Sequence, residues 1–60
     1  MTVSENLSAI VRLLNEAIVD AEKVDRGNKA AGTRVRTAAQ TARLALQDLR
    51  KLVLETRKQD

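Results

Sequence analysis

Arg26-Gly27-Asn28-Lys29 is the stretch that decides how this chain of 60 residues folds. Gly27 can take the left-handed backbone conformation that closes a helix, and Asn28 is a favoured cap for the helix that follows. No proline is needed to break the chain here. The expected boundaries are a first helix over about 3–26, a turn at about 27–28 and a second helix over about 29–58. Thr33, after Gly32, is a second possible start for that helix; the earlier start is preferred.

On the N-terminal side of the turn, apolar residues fall at Val3, Leu7, Ile10, Leu14, Ala17, Ala21 and Val24, alternating steps of four and three. That spacing is a heptad seam, and Val11 and Ile18 widen it to the broader stripe of a helix packed in a bundle. Thr2 followed by Glu5 has the spacing of a capping box. On the C-terminal side the seam resumes at Ala31, Val35, Ala38, Ala42, Ala45, Leu49 and Leu52, flanked by Gly32, Ala39, Leu46 and Val53. Two matched amphipathic helices joined by a short turn make an all-α, antiparallel hairpin in a single domain. Small residues near the turn and leucines farther away predict the closest packing at the turn.

Such a hairpin has little core, because a chain this short buries only about 60% of its unfolded surface. It has no cysteine for a disulfide and no histidine or cysteine for a structural zinc, so self-association is the remaining source of stability. Leu13, Val19, Leu44 and Leu54 lie off the seams and suggest a second packing surface. The simplest assembly is a dimeric four-helix bundle or coiled coil.

Catalysis is poorly provided for. The chain has no His, Cys, Tyr or Trp, and its Ser and Thr residues have no base to activate them. Glu16 and Asp20 stand one helical turn apart but read as a solvated face, without a cleft to perturb them. An enzyme is not expected, nor a cofactor, a metal site or a small-molecule substrate. No stretch approaches the roughly 20 apolar residues of a bilayer span, nothing at the N-terminus resembles a signal peptide, and a cytoplasmic protein is expected.

Charge is divided between the halves. Residues 1–26 carry three cations against five acids, whereas residues 27–60 carry eight against three. Within the basic half Lys29, Arg36, Arg43, Arg50 and Arg57 recur every seven residues, placing five cations along about 42 Å of one helix edge at 1.5 Å per residue. Arginine offers phosphate a planar, permanently charged fork. Charges flanking a seam also serve solvation, Lys51 and Glu55 have the spacing of a surface pair, and Arg57 and Lys58 oppose the helix macrodipole. With no aromatic residue to stack on unpaired bases, double-stranded DNA held by its backbone is the favoured polyanion. The missing aromatic anchors also argue against a basic helix lying on a membrane.

The run 26–36, Arg-Gly-Asn-Lys-Ala-Ala-Gly-Thr-Arg-Val-Arg, followed by Leu46-Gln47-Asp48-Leu49-Arg50-Lys51, resembles the bacterial linker-histone-like family, which includes the chlamydial histone-like nucleoid proteins. The likeness covers nearly the whole chain. It implies a nucleoid-associated, DNA-binding protein with a helical hairpin, and Lys29, Arg34 and Arg36 match its basic motif. Longer members carry a Lys- and Ala-rich tail beyond the hairpin, whereas the sequence here runs to Asp60 and is expected to be a short form. Either such a hairpin binds DNA weakly by itself, or its role is to oligomerise.

The combined expectation is a histone-like architectural protein of the nucleoid. It would bind duplex phosphates without reading sequence, through Lys29, Arg34, Arg36, Arg43 and Arg50, and self-associate to compact or bridge DNA. The alternative is a protein-interaction or oligomerisation module with no direct DNA contact.

Overall fold

The computed structural model describes residues 2–58; Met1, Gln59, Asp60 and the side chain of Lys58, with its expected contact at the helix end, lie outside the described residues. Helix α1 spans Val3–Asp25 and helix α2 spans Lys29–Lys58, and they fold back on each other as a hairpin with overall extents of 50 × 15 × 13 Å. Among the described residues all regular structure is helical.

The ends of α1 are built by local chemistry. The Thr2 hydroxyl accepts from the Glu5 amide at 3.1 Å, and the Glu5 carboxylate accepts from the Thr2 amide at 3.1 Å, so two otherwise orphaned donors are satisfied reciprocally. The bond from the Thr2 amide, then that from its side chain, holds the Glu5 carboxyl below its ordinary value of 4.5. At the other end Gly27 takes φ of +94°. Its amide donates to the Val24 carbonyl at 2.9 Å while the Asn28 amide donates to the Lys23 carbonyl at 3.0 Å. This pair of bonds is the Schellman closure, which requires a residue in the left-handed region at that position. Asn28 then turns from ending one helix to starting the next, its Oδ1 accepting from the Ala31 amide at 3.1 Å. Helix α2 accordingly begins at Lys29, at the earlier of its two candidate starts.

The packed face of α2 is the expected seam. Ala31 and Ala42 are buried, and Val35, Ala38, Ala45, Leu49 and Leu52 are half-buried. The packed face of α1 differs from the expected one. Val3, Asn6, Ile10, Leu13, Ala17, Asp20 and Ala21 are buried or half-buried, whereas Leu7, Leu14 and Val24 are exposed at 45%, 44% and 39%. Helix α1 is rotated so that Leu13, expected off the seam, faces into the hairpin and the Leu7/Leu14 row lies beside it. The rotation costs little because the opposing surface of α2 is largely alanine, which accepts either row, and it brings Asp20 within reach of Arg34.

The hairpin core is thin. Ile10, Ala31 and Ala42 are the buried apolar residues among those described, and no large side chain is fully enclosed. The accessible surface is 4951 Å². A compact folded monomer of 6.6 kDa would expose about 3,900 Å².

Gly27→Ala is expected to lower stability by about 1 kcal/mol, the cost of a Cβ in the left-handed region, because no other atom lies within 4 Å of where that Cβ would stand. Gly27→Asn should cost less, and thermal melts followed by circular dichroism compare them. Because the Glu5 pKa is depressed in the folded state, its contribution is present above the unfolded value and is lost as pH falls through the folded one. The melting temperatures of the natural chain and Glu5→Ala should therefore converge as pH drops below about 4.5. A gap that is unchanged at acid pH would show that the carboxylate does not cap the helix.

Candidate functional site

The basic residues stand on α2, and the helix period sets where they face. Arg36, Arg43 and Arg50 each follow a seam residue, Val35, Ala42 and Leu49, so they are turned about 100° from that row. They lie about 160° from the Ala31, Ala38, Ala45 and Leu52 row, so the file stands off the seam, with Arg36 also lining a hollow beside Ala21, Val24 and Asp25 of α1. Lys29, Arg36, Arg43 and Arg50 are all exposed. Between Lys29 and Arg50 the file extends about 32 Å and winds about 60° around the helix, because seven residues fall about 20° short of two full turns.

Arg34 is placed differently from the other four. Its Nε donates to Asp20 Oδ1 of α1 at 2.9 Å, across the edge of the hairpin seam, with the arginine side chain 51% and the aspartate 24% exposed. This is the ion pair formed among the described residues, so Lys51 and Glu55, expected to pair, do not. Asp20 is thus a partner for arginine rather than one half of a carboxylate pair with Glu16. The terminal guanidinium nitrogens of Arg34 keep N–H donors for an outside acceptor, but the neighbouring carboxylate reduces the net positive field there.

Two features were not singled out in the sequence reading. Residues 26–47 contain no Asp or Glu at all, an interval of 22 positions that carries Arg26, Lys29, Arg34, Arg36 and Arg43. Acids reappear on α2 only at Asp48 and Glu55. Within α2 the cations nearest the turn therefore have no acid on their own helix, although Glu16, Asp20, Glu22 and Asp25 of α1 lie along the same half of the hairpin, and the signal was available from the positions of the missing acids as much as from the cations. Next to Arg36, the side chains of Thr33, Thr37, Gln40 and Thr41 line a shallow, open hollow on the outer surface. Thr37 donates its hydroxyl proton to the Thr33 carbonyl at 3.0 Å, leaving its oxygen as an acceptor. Thr33, Gln40 and Thr41 supply side-chain donors beside the arginine.

The hollow is open and shallow, and no group of three His, Cys, Asp or Glu among the described residues is placed to hold a metal ion. Among the same residues no helix is long and apolar enough to cross a membrane. The arrangement is a convex, cation-lined rod edge with uncharged hydrogen-bonding groups beside it, suited to an extended anionic surface rather than to an enclosed ligand.

The model of a family described as histone H1-like protein Hc1 matches residues 4–59, which takes in both helices and the turn. No curated protein and no solved structure matches the chain at a significant level. Because the match runs through nearly the whole hairpin, the chain belongs to the histone H1-like protein Hc1 family.

Proposed function

We propose that this protein is a nucleoid-associated, histone-like DNA-binding protein that holds the duplex backbone non-specifically through the outer edge of α2 and self-associates to bridge or compact DNA. The observation that carries the reading is the outward file of Lys29, Arg36, Arg43 and Arg50 along a helix whose first half has no acidic residue, in a chain of the histone H1-like family. Backbone phosphates lie along the whole duplex and are met by point charges and arginine forks without reference to base identity.

The five candidate residues are not equivalent. Lys29, Arg36 and Arg43 stand in the acid-free interval, and Arg50 stands two residues beyond Asp48. Arg34 reaches the phosphates only through its terminal nitrogens while Asp20 holds its Nε. Thr33, Gln40 and Thr41 add neutral donors to phosphate oxygens beside Arg36. The chain has no aromatic residue to stack on unpaired bases, so the reading involves contact with an intact duplex.

A second reading has its own support. Exposed apolar side chains along α1 suit a protein-interaction or oligomerisation module in which the cations only solvate the bundle. The two readings part on salt.

Binding to random-sequence duplex should weaken linearly on a log–log salt plot. Four contacts give a slope of about −3.6 and five about −4.5 per hairpin. Arg36→Ala and Arg43→Ala should each reduce the slope by about 0.9 and weaken binding equally for unrelated sequences. Arg34→Ala should do less. Absent binding at low salt, or binding that salt does not change, would reject the duplex reading in favour of the interaction module.

A further inference from the structure

Helix α2 carries a second row beside the cation file. Arg34, Thr41, Asp48 and Glu55 also recur every seven residues, and each stands two positions before a member of the file, Arg36, Arg43, Arg50 or Arg57. Two residues turn a helix by about 200°, so the two rows run along opposite edges of α2, about 160° apart. Both rows are exposed. Between them, over residues 33–47, runs an uncharged, exposed strip that includes Thr33, Gln40 and Gln47, each two positions beyond a seam alanine and so on the side of α2 turned from α1.

The two edges differ in sign. The file is five cations in five positions, whereas the second row has one cation and two acids in four. That one cation, Arg34, is the arginine that α1 neutralises, through the bond from its Nε to Asp20 at 2.9 Å. Asp25 of α1 lines a hollow with Arg36 but, among the described residues, forms no ion pair with it.

The signs decide between two ways of meeting a duplex. Lodged in the major groove, α2 would set its Thr and Gln strip against base edges and have a phosphate strand along each edge, because a groove about 12 Å wide is little broader than a helix of about 10–12 Å with its side chains. Both edges would then need to attract phosphate. The second edge would instead press Asp48 and Glu55 against a strand, at the short range where like charges repel most. We propose that α2 docks edge-on against the outside of the duplex, by the cation file alone, and that Asp20, Asp48 and Glu55 keep the helix out of the major groove by turning the second edge away. The inference deepens the DNA-binding function proposed above and rests on that reading. Arg34 then stands on the far edge, with only its terminal nitrogens in reach of a phosphate.

The test compares two duplexes of one sequence, the second with its cytosines replaced by glucosylated 5-hydroxymethylcytosine, whose sugar fills the major groove. The natural chain is expected to hold both within about twofold and with the same salt slope. A loss of about tenfold or more on the filled duplex would overturn edge-on docking. The second measurement uses Asp48→Asn combined with Glu55→Gln, both exposed positions. Removing two charges that face away from the duplex is expected to strengthen binding by less than about threefold, through the screened long-range field, and to leave the salt slope unchanged. A gain of about tenfold or more would place that edge against phosphates and overturn the proposal. The natural chain failing to hold any duplex at low salt would reject the DNA reading, and edge-on docking with it. Binding that is strong on the plain duplex and lost on the filled one rejects the docking alone.

Discussion

The left-handed backbone at Gly27, with φ of +94°, is the constraint on which the other features rest. It lets the amides of Gly27 and Asn28 reach back to Val24 and Lys23, ending α1 within one residue, and it releases Asn28 to cap α2. A longer or looser connection would leave the rotation of one helix against the other poorly defined. Closing the turn with internal hydrogen bonds fixes where α2 starts, and so fixes which of its edges faces α1 and which faces outward.

A helix pair of this size cannot satisfy its own apolar surface. The seam of α2 is mostly alanine near the turn, which allows close approach but buries little area, and the larger residues of α1 exceed what that seam can cover. Leu7, Val11, Leu14, Ile18, Leu46 and Val53 collect on one side of the hairpin, the Asp20–Arg34 pair occupies the other, and Val19, Leu44 and Leu54 are exposed away from the first.

Charge follows a separate rule from packing. The cation file lies beyond the apolar row of α2 and is not drawn into the hairpin, whereas Arg34, which sits nearer the seam, is drawn into a bond with α1. An exposed pair such as this adds little stability by itself, about 0–1 kcal/mol, but it spends the positive field of one arginine inside the hairpin. The consequence is that five similar residues in the chain become four free cations and one restrained one among the described residues.

Local signals made most of the fold legible: the Thr2–Glu5 box, the glycine–asparagine turn and the alternation of fours and threes each depend on neighbours within one or two turns of helix. The α2 seam and the outward direction of its arginines follow from the same period. Two things were not legible. Helix α1 carries two adjacent apolar rows, and its period alone does not say whether Leu7 and Leu14 or Asn6 and Leu13 will face α2. Nor does spacing within α2 say that Arg34 will meet an acid of α1. Both were decided by how the helices rotate against each other, a matter of contact between residues far apart in the chain, where an alanine surface accepts either apolar row and an ion pair across the edge is made in only one of the two.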